Sequence, residues 1–468
     1  MGERMKGDNA AGPTRRDGFY RRDPMAWLEQ DVAKRYLVER IIRLLMLYLA
    51  IVAVVILSRE AVWVLWPKPP SAGYSLAGFD PDYMKHYYPD AVSAAHGEGF
   101  TDPQTHHLDT RYPPGYSAYL AGGLLIAQGT GVNFVLVRLA MDNLLVVPLT
   151  CLGLIALWRM LGMPIAWAIC SALAYALYPP YVWSSLIPTT IPLFTFLLVW
   201  TCVAWAAIPR SRRPVLLYVA CGVGMGLSML VWPASVLLPF FAALLMLLRR
   251  VPLKYAVCLI LSATVVIAPW VESASVAEHH LVPLSTGGPP TLRDGMTRFP
   301  ANAAAQAFLQ EPKGGLTAGR FVLIAAKEVI FHPLASVELW GNKFLHCWYA
   351  TDVVGGRVEW LLAAMNAVVL GVAAWGWTGL RRDRRVSPQR TMLVYDMLWL
   401  LAYFWMISTA VLSILRYMVP VAWVPIAYGV FGVCMLWQRR AGARAAAGTT
   451  GIPRPEGNTA ATVGTGSP

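Results

Sequence analysis

The stretch FDPDYMKHYYPDAV, beginning at Phe79, holds three aspartates, three tyrosines, a lysine and a histidine in fourteen residues. Asp80 and Asp82 are the residues here best suited to act as a general base on a hydroxyl. A carboxylate at a membrane–water boundary stays ionised yet is partly shielded. The same two aspartates precede a helical run and suit N-capping; spacing alone leaves both readings open. The complementary cations are spread along the chain. Arg111 precedes Pro113-Pro114, Arg138 stands four residues before Asp142, and Arg416 lies in LRYMVP. An arginine at a helix end in lipid is costly unless it is paired or faces a polar cavity. Arg138 therefore reads first as the i,i+4 partner of Asp142. Arg416 has no local acid and reads as facing a polar cavity or an anionic ligand. His106-His107 and His279-His280 resemble metal ligands, but adjacent histidines in a helix or strand point apart, and no metal site is expected from them.

The elements that must position these residues are membrane spans. The chain has 468 residues, 57% hydrophobic and 14% charged, against roughly 25% charged in soluble domains. Its net charge of +13 comes in short basic clusters between apolar runs, which is the pattern of loops held on the cytoplasmic side, not of a nucleic-acid-binding surface. Six of seven cysteines lie within apolar runs and no CxxC pair occurs, so neither a disulfide framework nor a zinc site is expected. Apolar runs at about 41–66, 133–158, 165–182, 187–208, 215–231, 233–249, 252–270, 358–380, 391–412 and 414–437 predict an all-α polytopic membrane protein of about ten transmembrane helices.

PRSRRPV (209–215), LRRVPLK (248–254), RRDRR (381–385) and QRR (438–440) all fall inside if the N-terminus is cytoplasmic. This gives a basic cytoplasmic segment (1–40), a transmembrane domain (41–437) and a disordered cytoplasmic tail (438–468). Two long loops, about 67–132 and 271–357, face outward and bear interfacial helices. Tyr88–Phe100 reads as a short surface helix ended by glycines, Pro113-Pro114 as the start of a second helix, and 321–340 as interfacial. The opening cluster then lies outside, just beyond the first span, in a multi-pass protein of the inner membrane and cell envelope.

An outward first loop with a D-x-D-Y start, then Ala91–Phe100 ending in G-x-G-F, then RYPPGY (Arg111–Tyr116) resembles the GT-C superfamily of glycosyltransferases. The branch is that of family 39, the protein O-mannosyltransferases and aminoarabinose transferases. Further similar segments follow in order: Ala268–Gly295 with Pro-Trp and LSTGG, His332–Trp348, and Arg416–Pro425. The family's Arg-Asn after Pro-Trp is replaced here by Glu272-Ser273 after an intervening Val271, and its Asp-Glu pair and large C-terminal domain are missing.

The resemblance implies transfer of a sugar from a polyprenyl-phosphate donor to a lipid, glycan or protein hydroxyl at the outer face, inverting the anomeric centre. Asp80 or Asp82 would be the base, with Asp80 preferred because Tyr83 follows at a familiar spacing. Arg416, with Arg111 or Lys343, would bind the donor phosphate, and Tyr83, Tyr112, Tyr116 and Arg138 would line the substrate site. No cofactor is implied. The Asp80/Asp82 pair could hold a divalent ion, though a lipid-monophosphate donor does not require one. The alternative reading is a lipid-linked-sugar flippase or solute transporter, kept open by the prolines inside many spans.

Overall fold

A computed structural model describes residues 24–65, 82–102, 106–312, 316–351, 357–382 and 388–449. Asp80 lies outside them. The chain divides into two compact units, Met1–Ala50 and Ile51–Pro468. Within the first, residues 24–50 are helical and belong to α1 (Pro24–Leu65). Here Ile41, Leu44, Leu45, Met46 and Leu49 are all more than half exposed, as lipid-facing residues of a span are.

The second unit continues with α2 (Tyr88–Ala95), α3 (Gly115–Thr130), α4 (Phe134–Ala140) and α5 (Val147–Met160). Next come α6 (Ile165–Ala176), α7 (Pro179–Leu186), α8 (Ile191–Ala207), α9 (Pro214–Val231), α10 (Leu238–Leu248) and α11 (Leu253–Glu278). The second loop carries α12 (Gly288–Asp294), α13 (Ala303–Leu309), α14 (Ala318–Phe331) and α15 (Pro333–His346). The chain then returns through α16 (Arg357–Arg382), α17 (Pro388–Ala410) and α18 (Trp423–Thr449). Among the described residues seven helices are long and apolar enough to cross a membrane, or nine if each of two bent pairs is one span. The shorter apolar helix Pro233–Leu248 accounts for the tenth apolar run. This is the all-α architecture of a multi-pass membrane protein.

Proline explains most departures from straight spans. The expected span 165–182 is two helices bent by 58°, and the last is Leu415–Val421 and Trp423–Gln438 bent by 53°. Pro179-Pro180 and Pro420 stand at the breaks, where a missing N–H and the ring's bulk interrupt the helix. Two π-helical segments, Tyr83–Tyr87 and Met141–Val146, each end two residues before a proline, Pro89 and Pro148. Each proline leaves the carbonyl four residues back without its usual donor, and the helix takes up the slack by widening one turn.

Buried arginines hold the bent pieces. Arg59, 4% exposed, donates to the Ala176 carbonyl at the end of α6 at 2.8 Å, to Ser185 of α7 at 3.0 Å and to Asn143 at 3.2 Å. Carbonyls at a helix C-terminus lack intrahelical donors, so a cation there satisfies them and complements the dipole. At the ends of the domain, helix extends further than the apolar runs do. α11 continues to Glu278, and the Ala- and Arg-rich segment past Ala441 stays helical to Thr449, in keeping with the helix propensity of those residues.

Candidate active site

The first loop folds as a tyrosine-lined platform. Tyr83, Tyr87 and Tyr116 are buried in one cluster with Ala91, Leu120 and Leu124. Tyr112 stacks on Tyr87 at 4.9 Å, and Tyr116 meets Tyr87 edge-on at 5.2 Å. Pro113-Pro114 ends the extended segment, and α3 starts at Gly115 with Pro114 as its N-cap. Gly115 lies so close to the last turn of α9 that a Cβ would come within 2.6 Å of the Leu230 carbonyl oxygen.

Asp82 stands at the N-terminal boundary of the π segment but makes no side-chain capping bond there. Its carboxylate is instead a hydrogen-bond partner of Tyr112, and burial together with that carboxylate raises the Tyr112 phenol well above its usual range. Arg111 lies beside this pair, its guanidinium carbon 5.9 Å from the centre of the Tyr112 ring. The carboxylate, the phenol and the guanidinium that the sequence points to are thus brought together.

Three residues that the sequence alone leaves without a role complete the first-loop group. His86 Nδ1 pairs with Asp109 at 2.6 Å, and the other Asp109 oxygen accepts the Arg111 backbone N–H at 2.8 Å. Beneath them Asp90 is 3% exposed, and its Oδ1 has no hydrogen-bond partner. Burial, then the charge of Asp109, lifts its carboxyl to about 7, against the opposing pull of His86. The available signal was compositional, since His86 and Asp90 sit in the opening cluster and Asp109 two residues before Arg111. Nothing in their spacing marks them as partners.

The second loop packs on this platform and ties it down. The Thr110 hydroxyl donates to the Glu278 carboxylate, the Thr286 N–H donates to the Thr110 carbonyl at 2.9 Å, and the Ser285 hydroxyl donates to the Arg111 carbonyl at 2.5 Å. Gly287 follows where a Cβ would stand 2.8 Å from that same Arg111 oxygen. A few residues on, Gly295 and Met296 pack over Lys343. This lysine is wholly buried, with Nζ donating to the Gly295 carbonyl at 3.2 Å and the Val411 carbonyl at 3.3 Å. Burial lowers its pKa to about 7. Arg416 lies on the 3₁₀ turn Leu415–Tyr417 that opens the last broken span. Tyr417 sits 4.8 Å from Trp232, next in sequence to the Leu230–Val231 turn under Gly115. The platform and the Arg416 turn therefore meet through the end of α9.

Arg138 adjoins the platform from below, its partner Asp142 reaching Tyr119, which stacks on Tyr116. It is 1% exposed, pairs with Asp142 at 2.9 Å and donates to the Leu186 and Ile187 carbonyls at 2.6 and 3.2 Å. The second Asp142 oxygen accepts the Tyr119 hydroxyl at 2.9 Å. These bonds tie α4 to the end of α7. Among the described residues no group of three or more His, Cys, Asp or Glu is arranged to hold a metal.

Comparison with solved structures finds the same overall architecture elsewhere. The chain is similar to the archaeal oligosaccharyltransferase AglB from Archaeoglobus fulgidus in complex with an inhibitory peptide and a dolichol-phosphate, at a TM-score of 0.52 and 14% identity. The apo form, and the form tethered to an acceptor peptide containing the NVT sequon, match equally, each over 87% of this chain and 52% of the other. The chain shares the fold of these structures over most of its length. It spans about half the length of the structures it matches. No family model matches it, and no curated protein does. A fold shared with an oligosaccharyltransferase fits the GT-C resemblance seen in the sequence, while family 39 as the branch is not reached by these matches.

Proposed function

We propose that this protein transfers a sugar from a polyprenyl-phosphate carrier to an acceptor hydroxyl at the outer face of the inner membrane, with inversion, both termini being cytoplasmic. The observation that carries the reading is Asp82, hydrogen-bonded to Tyr112 beside Arg111, on the first loop of a GT-C fold. Asp82, or Asp80 two residues before it, takes the acceptor proton as the hydroxyl attacks the anomeric carbon, and a positioned base contributes roughly 10²–10⁴-fold. The leaving group is a lipid phosphate, already an anion, and it needs positive charge more than it needs a proton.

Arg111 and Arg416 supply that charge, guanidinium being matched to phosphate oxygens. Lys343 reaches a phosphate only by leaving the Gly295 and Val411 carbonyls. Tyr112, half-buried, offers its ring to the sugar, while Tyr83 and Tyr116 form the floor beneath it. Arg138 acts through Asp142 and Tyr119, holding the edge of the platform without touching substrate. The complexes of the Archaeoglobus fulgidus enzyme with a dolichol-phosphate and with peptides support a lipid carrier and a separate acceptor in general terms.

The test is incubation of purified protein with radiolabelled polyprenyl-phosphate sugars, with and without membrane extract. Acceptor-dependent loss of label from the lipid is expected, abolished by Asp82→Asn or Asp80→Asn. The two broken spans, bent by 58° and 53°, favour a second reading, a lipid-linked-sugar flippase or solute transporter. Binding of the lipid-linked sugar with no turnover in any acceptor would move the assignment there.

A further inference from the structure

At the opposite margin of the bundle, among the basic loops, α8, α9, α10 and α17 line a narrow apolar slot of about 60 Å³ that is open on one side. Leu198, Met225, Leu238, Phe241, Leu245 and Leu400 form most of its wall. The polar groups there are turned to one another. The Thr201 hydroxyl returns to the Leu197 carbonyl at 2.7 Å, and the Trp205 indole N–H donates to Asp396 at 3.0 Å. Asp396 also pairs with Arg249, so the surface left to an occupant is hydrocarbon.

The mouth is built differently. Arg249 follows the last turn of α10, and its guanidinium has five donors, so the bond to Asp396 anchors it without exhausting it. Arg250 comes next, in the left-handed backbone region at φ 57°, which turns the chain sharply toward Lys254. A row of aromatic rings joins this turn to the wall. Lys254 Nζ lies 5.1 Å from the Tyr255 ring, Tyr255 stacks on Tyr218 at 4.8 Å, and Tyr218 meets Trp205 edge-on at 6.3 Å. Tryptophan and tyrosine in such a row mark the headgroup level of a bilayer. Neither 205–218 nor 245–258 contains an acid, so Asp396 offsets one of the three cations of the turn and two remain.

We propose that this slot binds one acyl chain of an anionic phospholipid of the basic-loop leaflet, with the lipid phosphate on Arg249, Arg250 and Lys254. An apolar slot under a surplus of positive charge fits a lipid with a tail and a net negative headgroup. A neutral solute would find no hydrogen bonds inside, and a zwitterionic lipid would bring a second cation to the turn. The site is at the other margin of the domain from the Asp82 group, and the proposal does not depend on the reading of that group.

The test is native mass spectrometry of the detergent-solubilised protein with phosphatidylglycerol, phosphatidylcholine and a short polyprenyl phosphate at equal concentration. Phosphatidylglycerol adducts are expected to exceed phosphatidylcholine adducts at least fivefold. Leu245→Trp, which fills the slot, and the surface double variant Arg250→Gln/Lys254→Gln should each lower the phosphatidylglycerol adduct about fivefold. Equal retention of the two phospholipids would overturn the proposal. So would an unchanged adduct in the double variant, which leaves the core untouched and folds whether or not Leu245→Trp does. Displacement of phosphatidylglycerol by polyprenyl phosphate would make the slot a rest for the donor tail instead, and would equally overturn it.

Discussion

Asp142 and Asp90 are carboxylates of nearly equal burial, 1% and 3% exposed, in neighbouring parts of the domain, yet their surroundings are opposite. Asp142 has an arginine on one oxygen and a tyrosine hydroxyl on the other. Asp90 has an unpartnered oxygen, and the charges nearest to it include two further aspartates. A buried charge that is fully met by fixed partners belongs to the framework, since removing one partner strands the other. A buried carboxyl left partly unmet stores free energy, and it sits in the platform that holds Asp82. Asp142 is thus met on both of its oxygens, while Asp90 in the first loop is left poised.

The largest expected effect comes from the poised side. Asp82→Asn should lower transfer by about 10²–10⁴-fold with the melting temperature in detergent nearly unchanged. Full activity in Asp82→Asn, Asp80→Asn and the double variant would remove carboxylate base catalysis from this loop. On the framework side, Arg138→Met leaves Asp142 buried without its cation, and breaking such a pair costs about 3–5 kcal/mol. The expected outcome is poor recovery of folded protein on size exclusion, with Arg138→Met/Asp142→Leu recovering much of the loss. If Arg138→Met folds normally and loses only activity, Arg138 touches substrate and does not belong to the framework.

Asp90 sharpens the comparison through pH. Its carboxyl titrates at about 7 in the folded protein and near 3.8 otherwise. The folded state therefore holds a proton that the unfolded state has lost between those values, and stability falls as pH rises from about 4 to about 7. Asp90→Asn removes that penalty. The variant should melt higher than wild type above pH 7, by about 1–3 kcal/mol of relieved desolvation. The gap should close toward pH 4. A pH-independent difference would mean that Asp90 is met by partners after all.

All ten apolar runs reappear as helices, because the length and periodicity of greasy segments are local properties of the chain. The start of α3 after Pro113-Pro114 and the end of α2 at Gly97 and Gly99, both at positive φ, were legible for the same reason. The bends were less so. Pro179-Pro180 signals a break, but no local rule separates a 58° kink from a straight span with a proline in its first turn. The site was half legible. Residue type pointed to Asp82, Arg111 and Tyr112, whereas the pairing of His86 with Asp109 and of Thr110 with Glu278 joins residues 23 and 168 positions apart. Those pairings follow from how α2 packs on α3, and α3 and α11 both on α9, which no spacing in the first loop encodes.

Lys343 carries the smallest and most discriminating expectation. Its pKa is about 7 in the folded protein against 10.5 otherwise. Below pH 7 both states hold the proton and the full cost of burying the charge is present. Between 7 and 10.5 the unfolded chain still binds the proton and the folded protein does not, so stability rises with pH across that window. Lys343→Met, close in volume and uncharged, should gain stability relative to wild type at pH 6 and lose that advantage toward pH 10. Its transfer rate should fall less than that of Arg416→Met, because Nζ is held by the Gly295 and Val411 carbonyls beneath the second loop. A loss equal to that of Arg416→Met, with the pH dependence of melting unchanged, would place the ammonium on the donor phosphate. The buried lysine would then belong with Asp90 on the poised side of the molecule, and the second loop would have to open for each turnover.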